Sequence, residues 1–467
     1  MTIRILTGDS RDVLKTLADA SVDSIVTDPP YELTSARPGG RSQATRGKVM
    51  AGFMGLRWDG SGVAFDADLW RECLRVLKPG GHLLAFGGTR TQHRMVCAIE
   101  DAGFEIRDQA GWMYGSGFPK SLDVSKAIDK AAGAERAQVV GVKAGHERFV
   151  DRTDPHSAGS RKHGWDRPYK DDPEAVRASH LNLAPATEEA KQWQGWGTAL
   201  KPAWEPVCVA RKPLVGTVAE NVLAYGTGAL NIDGCRVSMS AEDAAVINAA
   251  GGFTTGGYVR KKTEGTFMQG VPVAVDWQPS QLSRWPANLL HDGSPEVVAQ
   301  FPAEAGASAQ VKGTEPSSRQ GAIYNGGLTR STKNPFYADD GSAARFFWCP
   351  KTSRSDRNDG LHGMPERVMG VWGGDQNDLS AGKKSTLARA NTHPTVKPTE
   401  LMRYLCRLVT PPGGTVLDPF AGSGSTLKAA ELEGFSAIGI ELDPAYVEIA
   451  KRRIASDAPL FSKVETA

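Results

Sequence analysis

Strand-like apolar runs alternate with helix-like segments at both ends of this chain, and the stretch 116–392 between them shows no such period. Residues 3–8 (Ile-Arg-Ile-Leu-Thr-Gly) read as a strand, 13–17 as a short amphipathic helix, and 22–27 (Val-Asp-Ser-Ile-Val-Thr) as a second strand. Apolar positions at helical spacing over 66–77 stop at Lys78-Pro-Gly-Gly81, a helix stop followed by a turn. A buried strand over 82–86, a helix over 89–103 and a strand over 104–114 complete the first end. At the other end, a helix over 399–409 stops at Pro411-Pro-Gly-Gly414. A strand (415–418), a helix (425–433), a strand (436–442) and a closing helix (444–454) follow. Alternation of this kind confines the two ends to an α/β fold with a doubly wound, mostly parallel sheet.

The middle is broken by Gly251-Gly252, Gly326-Gly327, Asp340-Gly341 and Gly373-Gly374. It reads as one large, loop-rich inserted domain with a mobile polar stretch at 145–192. The 52 glycines and 28 prolines among 467 residues exceed the average share of about 12%, in keeping with many loops. Hydrophobic residues at 40% and charged residues at 23% exclude a chain disordered throughout. No run approaches the roughly 18 consecutive apolar residues of a membrane helix. The first residues read directly as a strand rather than as a secretory leader. Six scattered cysteines without a C-x-x-C pair argue against a disulfide scaffold or a Cys-rich zinc site, and together these features fit the cytoplasm. The net charge of +2 makes no demand for a nucleic-acid partner, so any such signal must be local.

Asp28-Pro29-Pro30-Tyr31 stands where the strand 22–27 ends and the chain turns outward. In an open parallel sheet that edge is where ligands bind. Two prolines stiffen the turn and remove two backbone donors, leaving carbonyls as acceptors. A fixed carboxylate with such carbonyls can accept both hydrogens of an exocyclic amino group, while Tyr31 offers a flat face for a base. The lone pair of a nucleobase amino group is delocalised into the ring; accepting its hydrogens frees that pair for attack. The plainer reading is a turn that ends a strand.

Leu417-Asp418-Pro419-Phe420-Ala-Gly422-Ser-Gly424-Ser-Thr426 supplies the second signal: strand, glycine loop, helix. Leu427 takes the place of the third glycine of G-x-G-x-x-G, and a Gly-Lys-Ser/Thr P-loop is missing, so a pyrophosphate is not the obvious guest. Glu441 ends the next strand, where a carboxylate can receive ribose hydroxyls.

Together these residues resemble the amino-group DNA methyltransferases that use S-adenosylmethionine. The order of parts, tetrapeptide first and glycine loop last, resembles the circularly permuted β class. Leu6-Thr-Gly8-Asp9, Leu77-Lys-Pro-Gly-Gly81, Trp112-Met-Tyr-Gly-Ser-Gly-Phe118 and His393-Pro-Thr-Val-Lys-Pro398 extend the likeness. Lys201-Pro-Ala-Trp-Glu-Pro206, Arg284-Trp-Pro-Ala-Asn288 and Arg345-Phe-Phe-Trp-Cys-Pro-Lys351 are similar to segments of phage and prophage members. The resemblance implies a permuted, Rossmann-like methyltransferase fold. In it, 1–115 is the catalytic half, 116–392 the target-recognition region, 393–456 the cofactor half and 457–467 a flexible tail. It implies that Asp28, Pro29, Pro30 and Tyr31 are catalytic. Asp418, Pro419, Phe420, Gly422 and Gly424 would hold the cofactor near its methionine end, with Glu441 at the ribose, Asp9 at the adenine, and Thr395 and Lys397 near its carboxylate. Physically, this order requires the 22–27 and 415–418 strands to lie side by side, so that their ends meet.

The implied reaction is direct in-line transfer from S-adenosylmethionine to adenine N6 of a base flipped from double-stranded DNA. N4 of cytosine is the alternative target, and a catalytically silent DNA-binding protein on the same fold is a further one. Asp at the head of the tetrapeptide resembles the adenine enzymes. Residues 33–57 carry Arg37, Arg41, Arg46, Lys48 and Arg57 and no acidic residue, a composition suited to phosphate contacts. Basic–aromatic mixtures at 258–262 and 345–357 read as DNA contacts or as ordinary surface and core. A covalent C5-cytosine mechanism lacks its Pro-Cys nucleophile, since the sequence offers only Cys349-Pro350 in reverse. The histidines are dispersed, so no metal is expected; a homodimer is compatible with the family.

Overall fold

In the computed structural model of the chain, the described residues are 1–33, 60–115, 117, 121–143, 180–238, 283–303, 342–347, 356–364, 367–368, 388–393, 395–456 and 463–466. They form two compact units: Met1–Gly115 with Trp204–His362 and His393–Ala467, and Ser116–Ala203 with Gly363–Thr392. Among the described residues no helix is long and apolar enough to cross a membrane.

The first unit is built on a nine-stranded sheet. Its strands are β1 (Thr2–Thr7), β2 (Val22–Thr27), β3 (Leu77–Phe86), β4 (Glu105–Met113), β5 (Trp204–Arg211), β6 (Leu289–His291), β7 (Thr415–Asp418), β8 (Ser436–Glu441) and β9 (Lys463–Thr466). In space they run β6-β4-β5-β3-β2-β7-β8-β1-β9. Every neighbouring pair is parallel except those made by β5, which is antiparallel to both β3 and β4. The fold is thus α/β with a mostly parallel sheet.

Because successive side chains of a strand face opposite ways, each strand feeds two cores. Ile3, Ile5, Val26, Leu84, Phe86 and Val416 pack on one face, against α3 (Thr399–Val409), α4 (Ser425–Leu432) and α5 (Pro444–Ala455). Leu6, Ile25, Leu83, Ala85 and Leu417 pack on the other, against α1 (Ala67–Val76) and α2 (Gln92–Asp101). All six residues of β2 are buried, as a strand covered on both faces must be. Its polar Ser24 is satisfied by the Thr410 hydroxyl at 2.8 Å.

Three expectations need correction. First, 116–392 is not one insert. Residues 204–211 and 289–291 are strands of the main sheet, and Val207, Ala210 and Leu290 enter its core. β5 gives ladder partners to β3 and β4, a non-local pairing that short apolar runs among loops do not announce. Second, the helix stops as expected, at Val76, but Lys78-Pro-Gly-Gly81 is not a turn ahead of the strand. It lies within β3, where Gly80 takes φ +76° and the register against β2 shifts between Val22 and Ser24. Third, residues 463–466 of the expected flexible tail form β9, whose backbone pairs in parallel with Thr2–Ile5.

In the second unit, Val139–Val142 pairs with Leu181–Leu183, and helices span Val124–Ala131 and Glu188–Gln192. The polar stretch expected to be mobile at 145–192 therefore includes regular structure from 181 onward; 145–179 lie outside the described residues. Asp129 is buried here and satisfied by Arg136 at 2.6 Å and by the backbone N–H groups of Ala186 and Thr187.

Trp70 is fully buried; its indole N–H donates to the Ala64 carbonyl at 3.0 Å and its ring meets Phe420 edge-on. Trp70→Ala should cost about 3–5 kcal/mol of stability. Urea unfolding measures this, and a loss below about 1 kcal/mol would contradict the packing described.

Candidate active site

β2 and β7 lie side by side in parallel, Val416 opposite Ser24 and Leu417 opposite Ile25, so Asp28 and Asp418 leave the sheet at the same edge. The Thr27 hydroxyl donates to Asp418 Oδ1 at 2.6 Å and ties the two strand ends together. The same Asp418 oxygen accepts the Phe420 N–H at 3.0 Å, which starts the glycine turn. The geometry required of the two remote motifs, adjacent strands with meeting ends, is present.

Gly422 and Gly424 have φ of +52° and +78°, a region that costs a side chain about 1–2 kcal/mol. A Cβ on Gly422 would come within 2.8 Å of His393 Nε2, and one on Gly424 within 2.8 Å of Ala450 Cβ. Glu441 closes the turn from β8: Oε2 accepts from Gly422 N at 2.8 Å and Oε1 from Asp443 N at 2.7 Å. Burial raises its pKa against those two bonds. Asp9 stands at the end of β1, beside the end of β8. It caps the turn that follows through Arg11 N at 2.9 Å and pairs with the Arg11 guanidinium at 2.6 Å. The Pro419 carbonyl accepts from Ser10 Oγ at 2.5 Å, and half-buried Phe420 packs toward Trp70. Thr395 is exposed, and its carbonyl accepts from His393 Nδ1 at 2.6 Å.

Lys397 turns toward the tetrapeptide. Its side chain is 8% exposed, and its ammonium sits 3.0 Å from Asp28 Oδ2, 2.9 Å from Glu205 Oε2 and 2.9 Å from the Tyr31 hydroxyl. The Tyr31 hydroxyl in turn donates to Glu205 Oε2 at 3.0 Å. A buried ammonium needs anionic acceptors, and these two carboxylates supply them. Burial works against the charged lysine, but Asp28 and Glu205 hold its pKa above the usual range. For Asp28, burial raises the pKa; Lys397 opposes that rise and Glu205 adds to it. Burial also pushes up Tyr31 and Tyr114, the latter helped by the nearby Glu205. Two carboxylates share one ammonium, so with both ionised the cluster carries one net negative charge.

One atom of that cluster is unsatisfied: Asp28 Oδ1 is buried and without a hydrogen-bond partner. Such an atom calls for a donor. Pro29 is buried and Pro30 partly so; the Tyr31 carbonyl is pinned by the Thr91 hydroxyl at 2.6 Å. Glu32, just beyond, is buried with φ +53°, a conformation of a kind that clusters at functional sites.

Several contributors were not legible beforehand. Glu205 lay within Lys201-Pro-Ala-Trp-Glu-Pro206, where a charged residue between an aromatic and a proline was the available signal. Asp356 accepts from Thr399 N at 2.7 Å and Thr399 Oγ1 at 2.5 Å, fixing the start of α3 two residues past Lys397. Arg453, fully buried, bonds Ser423 O at 2.7 Å and Ser425 Oγ at 3.1 Å beneath the glycine turn. Lys428 pairs with Asp359 at 2.7 Å. Arg37, Arg41, Arg46, Lys48 and Arg57, with the mixture at 258–262, lie outside the described residues.

Asp418 gives the site a pH signature. Burial raises its pKa to about 6, against the bonds from Thr27, Thr426 and Phe420 N that favour ionisation. A raised folded-state value stabilises fully below the unfolded pKa of 3.8 and is lost as pH rises through about 6. Asp418→Asn removes that titration. Relative to the parent, its stability should rise by about 3 kcal/mol between roughly pH 4 and pH 7. Urea titrations at the two pH values provide the check; a constant difference would contradict the buried carboxyl.

Comparisons with known proteins place the chain in a family. A family model described as DNA methylase matches residues 22–132 and 316–452, the two segments that bring Asp28 and the glycine turn together. The type II methyltransferase M.Cfr9I of Citrobacter freundii is 39% identical over 85 residues, 18% of this chain and 28% of that protein. M.XycI of Xanthomonas campestris pv. cyanopsidis is 40% identical over 82 residues, 18% of this chain and 27% of that one. The chain thus spans about a quarter of the length of the curated relatives it matches. Among solved structures, the PvuII DNA methyltransferase (cytosine-N4-specific) aligns with 97% of this chain and 86% of its own, at 13% identity and a TM-score of 0.37. The family match alone takes in more than half of the 467 residues, and the chain belongs to the N6/N4 DNA methylase family.

Proposed function

We propose that this chain transfers a methyl group from S-adenosylmethionine to an exocyclic amino group of double-stranded DNA, with adenine N6 as the target. The carrying observation is Asp28 Oδ1, buried, unpartnered, and held at the sheet edge where β7 delivers the glycine turn. An amino N–H pointed at that oxygen satisfies it and loosens the delocalisation of the nitrogen lone pair. Tyr31, anchored at both its hydroxyl and its carbonyl, offers a face on which an extruded base stacks. Asp at the head of the tetrapeptide favours adenine over cytosine.

The residues present fit the cofactor. Gly422 keeps the turn bare where a Cβ would strike His393, so a ligand can approach its backbone closely, and Glu441 keeps lone pairs beyond the two backbone donors it accepts. Asp9 and Phe420 flank the same edge. When bound, S-adenosylmethionine supplies an electrophilic sulfonium methyl. The protein's share is to hold the amino nitrogen in line, exclude water, and present one net negative charge where positive charge develops. Lys397 takes part by fixing Asp28 rather than by meeting the cofactor's carboxylate. DNA as substrate accords with the cytoplasm of a bacterial or phage-infected cell.

Mass spectrometry of nucleosides from duplex DNA incubated with the full chain and methyl-labelled cofactor tests the reading. Label in N6-methyladenine is the expected outcome. Label in N4-methylcytosine would reassign the base, and no label would leave a silent DNA-binding protein. Asp28→Ala should abolish transfer by a factor of about 10³ or more while calorimetric cofactor affinity stays within about twofold. Gly422→Val should do the reverse, losing cofactor affinity in a folded protein. Transfer also falls as pH drops through the raised pKa of Asp28, because a protonated carboxyl accepts poorly.

A further inference from the structure

Lys397 has three ammonium protons and three acceptors: Asp28 Oδ2, Glu205 Oε2 and the Tyr31 hydroxyl. It has no proton left for Asp28 Oδ1. Glu205 reaches this cluster from β5, the antiparallel strand of the sheet, and holds the hydroxyl of Tyr31 as well. Both members of the tetrapeptide with functional side chains are therefore gripped, directly or through Lys397, by one carboxylate that lies outside it. We propose that Glu205 is a positioning residue for amino-methyl transfer. By sharing the Lys397 ammonium it leaves Asp28 under-neutralised with Oδ1 turned to the target amino group, and by holding the Tyr31 hydroxyl it sets the plane of the stacking ring.

The inference rests on the methyl-transfer reading and adds the source of its electrostatics. In that reaction the nitrogen lone pair forms the N–C bond while the C–S bonding pair leaves on sulfur. Positive charge passes to the nitrogen, whose surplus proton is accepted at Asp28 Oδ1 and released to water. An Asp28 fully neutralised by its own lysine would oppose neither charge nor proton with any force. With Glu205 present, the cluster keeps a net negative charge at the moment nitrogen becomes positive. The charged and titratable groups facing Asp28 are Lys397 from the segment before α3, Glu205 from β5, Tyr31 from its own turn and Asp418 from β7. Tyr114 at the end of β4 faces Glu205, and Phe86 of β3 adds an uncharged ring 4.7 Å from the ammonium.

The test compares the parent chain with Glu205→Gln and Lys397→Met, both close in shape to the residues they replace, using pH profiles of kcat with duplex DNA. Removing the Glu205 charge gives Asp28 the whole of Lys397. The acid limb should then move to lower pH, with a plateau kcat lower by about tenfold or more and a cofactor affinity little changed. Removing Lys397 should move the limb the opposite way. Should Glu205→Gln not fold, Glu205→Ala removes the same charge and takes its place, while Lys397→Met checks the sign of the lysine's own effect. A second reading needs no activity: the 13C carboxyl resonance of Asp28, assigned by its absence in Asp28→Asn, should titrate at lower pH in Glu205→Gln. If the parent transfers methyl groups but neither midpoint moves, Glu205 has no such role. If the resonance moves and the parent transfers nothing, the charge coupling stands and the methyl-transfer reading falls.

Discussion

The pairing of β2 with β7 is the constraint from which the rest follows. Two strands from opposite ends of the sequence share a ladder, and a single hydrogen bond from Thr27 to Asp418 locks their ends. Closing so long a loop adds little penalty, because the cost grows only with the logarithm of length. What makes the arrangement specific is burial. Ile25, Val26, Val416 and Leu417 are all fully covered, and a one-residue slip would send each to the opposite core and part Thr27 from Asp418. The register that fills the two cores is therefore the register that brings the two motifs together.

The elements at the chain ends were legible because they repeat local signals: apolar runs for β1, β2, β7 and β8, and Pro-Gly-Gly punctuation around them. Asp28 and Gly422 could be singled out because proline and glycine restrict the backbone in ways other residues do not. The middle was not legible for the opposite reason. β5 exists because β3 and β4 need a partner, and β6 because β4 has a second edge; neither need is written in their own residues. Lys397 shows the same limit at the level of the site. Its motif said that it mattered, but its direction is set by Glu205, a residue far from it in sequence and on an element not anticipated.

Buried charge is the common idiom of the unit. Lys397 between two carboxylates, Arg453 beneath the glycine turn and Lys428 against Asp359 are all almost fully removed from water. Pairs of this kind contribute little net stability compared with apolar packing, while removing one partner costs about 3–5 kcal/mol. Their physical effect is directional. Asp356 holds the first residue of α3 and lies 3.7 Å from Arg453, so the lysine before that helix and the serines under the turn are referred to one carboxylate.

β9 has a consequence for the behaviour of the chain in solution. Lys463–Thr466 occupies the outer side of β1, so the backbone donors and acceptors of that strand face a neighbour from the same molecule. A chain cut back before Lys463 would keep its glycine turn and tetrapeptide but bare a strand at the sheet margin. Bare margins recruit strands from other molecules, and the outcome would be self-association rather than unfolding.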